Sequence, residues 1–172
     1  MIKKTILILL PILVLAGLFY YKTTQNMTAE DIKNTDKVPL EFQDNKIQCP
    51  VCKMYLVGKT FSAQVITKDH KTHFFDDPGC VALWLESNKI DKKDVTIWIY
   101  TIDTKRYIDA TKAHYSIYDY ADPMHYGFGA YEHNKKGFID FDEMVLRMLR
   151  GENMTNPKIR KKILQDLKKD QQ

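Results

Sequence analysis

The sequence predicts an α+β fold, with two small β-β-α-β-like units in one compact domain, preceded by an N-terminal transmembrane helix. Three observations predict it. An uncharged apolar run opens the chain. From Phe61 onward, short β-branched and aromatic runs alternate with segments that carry helix-capping signals. The order strand, strand, helix, strand then begins a second pass. Of the 172 residues, 44% are hydrophobic and 12% aromatic, enough to build one core and too apolar for wholesale disorder.

Thr5 to Tyr21 carries no charge and follows Lys3 and Lys4. A cleaved secretory signal needs a small-x-small site, but Ala16-Gly17 is followed at once by Leu18, Phe19 and two tyrosines. The run is at the short end of what spans a bilayer, and Tyr20, Tyr21 and Lys22 suit an interface belt. Residues 1–21 are therefore expected to be an uncleaved signal anchor of the inner membrane. Lys3 and Lys4 would stay on the cytoplasmic side and the domain would face the periplasm. No cysteine ends the run to take a lipid. Residues 22–46 are polar and read mainly as a linker.

Phe61 to Thr67 and Thr72 to Phe75 read as a hairpin around the polar turn Lys68 to Lys71. Asp77-Pro78 opens a helix to Ser87, with Asp77 as N-cap and Pro78 at the first helical position, where no donor is needed. Val95 to Thr101 is dense in β-branched and aromatic residues and reads as a buried central strand. Arg106 to Asp109, Ala113 to Ile117 and Phe128 to Tyr131 follow as short strands. A helix runs from Asp140 to Arg150, with Glu143 at capping-box spacing and Gly151 as its stop. The domain is bounded at 47–150. Residues 151–172 form a basic C-terminal helix opened by Asn156-Pro157, with a narrow stripe of Ile159, Ile163, Leu164 and Leu167.

The net charge is +4, and Lys3 and Lys4 account for two of those charges. A near-neutral domain argues against nucleic acid as a partner. Three cysteines are too few for a disulfide scaffold. No Ser/His/Asp order, glycine-rich phosphate loop or HExxH helix occurs, so nothing points to an enzyme.

The sharpest local signal is Cys49-Pro50-Val51-Cys52-Lys53-Met54. Two thiols at i and i+3 chelate one metal or close one disulfide. A thioredoxin-like pair would be followed by a helix, and here a hairpin follows. A zinc ribbon needs a second ligand pair, and only Cys80 is left. Cys80 reads as a small buried helix residue, and Asp76-Asp77 as a helix start. Met54 shifts the balance to copper, because thiolate with thioether selects Cu(I) over harder ions. A second soft pair, Met124-His125, lies in the turn-rich segment Asp122 to Gly127. His70, His73, His114 and His133 read as turn, strand and loop residues.

The runs CPVCKM, FSAQVITKDHKTHFFDD, TIDTKRYIDATKAHYSI and DPMHYGFGAYEHNKKGF together resemble the NosL family, exported accessory proteins for nitrous oxide reductase. The resemblance covers about residues 47–150. It implies a copper chaperone that binds Cu(I) and delivers it to nitrous oxide reductase or another copper-acceptor protein. It also implies small β–β–α–β units similar to an organomercurial lyase domain. Cys49, Cys52 and Met54 match the family's CxxCxM run, and Met124 its Pro-Met position. His125 stands where the family commonly has glycine. The expected metal ligands are thus Cys49, Cys52, Met54, Met124 and His125, in one shared site. The alternative is an exported thiol–disulfide protein using Cys49 and Cys52, for which Met54 would be irrelevant. A third option is a tethered interaction module in which the basic last helix meets a partner.

Overall fold

The computed structural model describes residues 12–17 and 29–169. Residues 12–17 are helical, and the rest of the expected membrane segment lies outside the described residues. Among the described residues no helix is long and apolar enough to cross a membrane.

The fold is α+β. Strands β1 (Ala63–Ile66) and β2 (Thr72–Phe75) form the expected hairpin, with Ala63 opposite Phe75 and Ile66 opposite Thr72. Helix α1 (Pro78–Ser87) follows directly. Asp77 caps it in extended conformation, its side chain accepting from the Gly79 amide, and Pro78 opens the first turn. β3 (Thr96–Tyr100) returns beside β1 and pairs with it antiparallel. β4 (Tyr107–Asp109) pairs with β3, so the sheet order is β2-β1-β3-β4. β3 is an inner strand as expected. Its burial alternates, with Ile97 and Ile99 inward, because only one face of an antiparallel sheet meets this core.

The second half departs from the expected duplication. β4 extends the first sheet instead of starting a second unit. β5 (His114–Tyr115) and β6 (Ala130–Tyr131) make a separate two-stranded ladder, followed by α2 (Phe141–Leu149). Among the described residues no strand closes a second β-β-α-β unit. Two residues of pairing per strand are too few to build an independent sheet. The ladder instead borrows its anchoring from Tyr115, fully buried, whose hydroxyl donates to the Ala110 carbonyl at 2.8 Å.

α1 and α2 pack against each other on the face formed by Ala63, Val65, Phe75, Ile97 and Ile99. α2 is capped by Asp140, which accepts from the Glu143 amide at 2.8 Å, and its chain leaves through Gly151 at φ +68°. That left-handed turn is the stop signal read from the sequence. α3 (Pro157–Lys169) buries Ile163 alone of its apolar stripe, and most of its lysines face solvent.

From Ala29 on, the stretch expected to act as a linker packs onto the outer face of the sheet. Asn34 is buried and bonds the Val38 carbonyl and Thr72 hydroxyl. Gln64 clasps the Leu40 backbone with two bonds of 2.8 Å, and the Trp98 indole donates to the Lys37 carbonyl at 2.8 Å. A polar strand face supplies donors and acceptors for an irregular chain, so a hydrophilic segment docks there without a hydrophobic run of its own.

Candidate metal centre

Ile47 to Leu56 folds back on itself. Gln48 bridges Tyr55, the Leu56 amide donates to the Ile47 carbonyl at 2.9 Å, and the Cys49 amide donates to the Met54 carbonyl at 2.9 Å. The tip is Cys49-Pro-Val-Cys-Lys53, closed by the Lys53 amide on the Cys49 carbonyl at 3.0 Å, with Lys53 at φ +65°. Ile47 and Leu56 anchor the base in the core. This tight loop aims the backbone amides of Cys52 and Val51 at the Cys49 sulfur, and the Met54 amide at the Cys52 sulfur.

Two further groups meet it. Asp76 leaves the end of β2, and Cys80 lies in the first turn of α1. The ligand atoms of Cys49, Cys52, Asp76 and Cys80 all lie within 4.8 Å of one another. All three thiols are free. The Cys52 thiol donates to both oxygens of Asp76, each at 3.2 Å. Cys49 and Cys80 are wholly buried, and Cys52 is half-buried.

The three thiols differ in acidity. A hydrogen bond from the Cys80 thiol brings Cys49 down to about 7. It acts against burial, with help from the Cys52 and Val51 amides. Burial pushes Cys52 up to about 12, reinforced by Asp76 and the charge of Cys49. Cys80 is raised because its thiol donates a hydrogen bond to Cys49, and burial adds to this. Cys49 is therefore the thiol most readily ionised, with its two neighbours holding their protons. Such a group is ready to take a soft cation, which would replace the shared protons.

Of the five residues expected as ligands, the fold brings Cys49 and Cys52 into this cluster. Met54 stands beside it, 38% exposed, on the wall of a groove that also touches Asp76. The segment with Met124 arrives at the same end of α1. The Met124 amide approaches Asp77 Oδ2 at 3.4 Å, and its side chain packs on the core that includes Cys49 and Cys80. His125 is not one of the four. It turns through φ +55° and lines a separate cavity of 140 Å³ with Asp119, Asp122, Met154 and Arg160.

Cys80 and Asp76 were not expected as site residues. Cys80 is the small buried helix residue anticipated, and its sulfur also faces Cys49. In the sequence it is one lone thiol in a capped helix, with no spacing that ties it to the CxxC pair. Asp77 does cap the helix, but Asp76 points the other way, to Cys52. Adjacent residues after a strand point to opposite sides, so one helix start could not explain both. His73 stacks at 4.7 Å on Trp84, and His133 pairs with Asp103, in keeping with structural roles.

A buried carboxyl pair supports the site from behind. Asp77 is raised well above the usual range by burial and by the nearby charge of Asp122. Asp122 is raised by burial while accepting from the Gly127 amide at 2.8 Å. The Asp122 to Gly127 turn thus lies against the cap of α1, where the Met124 amide meets Asp77. Tyr126 follows, its ring against Gly79. A Cβ at position 79 would stand 2.6 Å from Tyr126 Cδ2, so the helix start must be glycine there.

No protein-family model matches this chain, and no characterised protein and no solved structure matches it significantly.

Proposed function

We propose that this protein is a membrane-anchored Cu(I) carrier, with its domain in the periplasm, that hands copper to a cuproenzyme. The observation that carries the reading is the convergence of three free thiols from two segments around one buried point. Three sulfurs form a complete trigonal shell for Cu(I), and soft donors favour that ion over magnesium, calcium or manganese. Asp76 completes a set that zinc would also accept, so metal preference is the decisive measurement. The resemblance to the NosL family makes nitrous oxide reductase the acceptor of choice. In this reading no bond of a substrate is made or broken by the protein, and copper moves by ligand exchange.

The test is an anaerobic competition titration of the reduced full-length chain with Cu(I) and Zn(II). One Cu(I) per chain, bound in preference to zinc, is expected. X-ray absorption at the copper edge should show sulfur scattering, and a shell of only nitrogen and oxygen would sink the reading. The anchor is tested by an alkaline carbonate wash, after which the protein should stay with the membranes.

The acidified Cys49 favours a second reading, thiol–disulfide exchange with Cys52. The two readings part at Cys80. Replacement by serine should weaken Cu(I) binding if copper is the cargo. It should leave a Cys49–Cys52 redox couple still able to cycle if exchange is the function.

A further inference from the structure

The four clustered residues leave one side open. Cys49 and Cys80 are closed off by the core, and Asp76 is nearly so, at 6% exposure. Cys52 alone among the thiols reaches the surface. A groove of 290 Å³ runs along Met54 to Gly58 and ends on Pro123 and on Asp76, whose carboxylate accepts from the Cys52 thiol. Its walls are apolar and partly bare, with Tyr55 52% and Val57 65% exposed, while the intervening Leu56 is buried. The backbone bridge between Gln48 and Tyr55 closes the ladder that shapes the thiol loop, and Met54, next to that bridge, lines the groove.

We infer that the groove is the passage by which metal enters and leaves, and that Met54 is its relay ligand instead of a resident one. The inference rests on the Cu(I) reading and deepens it. Three sulfurs already fill a trigonal shell, so a fourth soft ligand beside the half-exposed thiol is spare for equilibrium binding. Cu(I) exchanges ligands associatively, and an incoming donor must bond before the old one leaves. A neutral thioether suits that step, because it is soft enough to hold Cu(I) briefly and weaker than a thiolate. On exit the Met54 sulfur–copper bond forms and the Cys52 sulfur–copper bond breaks. Cys52 takes up a proton from water, and the copper remains Cu(I) throughout. The acceptor, or a small chelator, then attacks a metal that has moved toward the groove.

The experiment uses the full-length reduced chain in detergent, loaded anaerobically with one equivalent of Cu(I). Affinity is measured by competition with bicinchoninate, and the rate of removal by a bathocuproine chelator. Met54→Leu keeps the shape and removes the sulfur. The expected result is an affinity within about threefold of the native protein and removal slower by about tenfold or more. Val38→Ala, an exposed apolar residue outside the groove, should change neither. An unchanged removal rate in Met54→Leu would overturn the relay. So would a large fall in affinity, which would make Met54 a resident ligand. If the native chain binds no Cu(I), the carrier reading fails first, and it does so before any variant is compared.

Discussion

At Cys49 the fold collects a thiol donor from Cys80 and two backbone amides around one buried sulfur. Burial alone would raise that group, so the donors win, and the largest of them is Cys80. A thiolate titration by ultraviolet absorbance should therefore show one thiolate forming near pH 7 in the metal-free protein. In Cys80→Ala that step should move up toward the ordinary thiol value of 9.0. A step that stays near 7 would show that the amides suffice and that Cys80 has no part in the site's charge. The CxxC pair was legible as a chelating motif because both thiols lie in one turn. Cys80 was not, because a lone cysteine in an apolar helix carries no spacing signal. Only the contact between the loop and the helix start reveals it. His125 lies apart from the four for a local reason. Its neighbour Met124 turns toward α1, and a left-handed residue immediately after it sends the imidazole to a different cavity.

The start of α1 is the element on which the centre depends, because it holds Cys80 in its first turn and the Asp122 turn against its cap. Asp77→Ala should cost about 1–2 kcal/mol for the lost cap, and more for leaving Asp122 buried without its partner. Asp77→Asn keeps an oxygen for the Gly79 amide and an N–H for Asp122, so its loss in thermal unfolding should be clearly smaller. Equal losses would show that the oxygen facing the Gly79 amide contributes little. A second element-scale bond network lies at Asp103. It accepts from the amides of Thr104, Glu132 and His133 and pairs with the His133 ring. Desolvation opposes its charge, but the Glu132 and His133 bonds win and hold the carboxyl well below the ordinary 3.8. A carboxyl depressed in the folded state stabilises above its unfolded value and loses that contribution as pH falls through the folded one. Asp103→Asn should therefore be less stable than the native chain at pH 6, with the gap closing in acid below about pH 4. A gap independent of pH would assign the effect to packing. The elements themselves were legible wherever a local device marks them, such as Asp77-Pro78 or Gly151. The duplication was not, because strand order in a sheet is set by distant pairing. Nothing local in Tyr107 to Asp109 says that it joins β3.

In the whole molecule the centre ties together three parts of the fold. Cys49 and Cys52 belong to the loop before β1, Asp76 to the end of the hairpin, and Cys80 to the helix that covers the sheet. A metal bound there cross-links the N-terminal segment to the α1 layer. It binds only the folded chain tightly, since unfolding separates the loop thiols from Cys80. Binding must then raise stability by mass action, by about 2.7 kcal/mol when free Cu(I) is a hundredfold above the Kd. In an anaerobic thermal melt the transition should rise on Cu(I) addition, and rise less in Cys80→Ser, whose remaining thiols sit in one turn that survives unfolding as a chelate. That contrast separates a cross-link from simple loop binding. If Cys80→Ser gains as much as the native chain, the copper is held by the CxxC loop alone. Oxidation gives the complementary arm. Closing Cys49 to Cys52 as a disulfide removes two of the three sulfurs, so the oxidised chain should show no Cu(I)-dependent rise at all, and reduction should restore it.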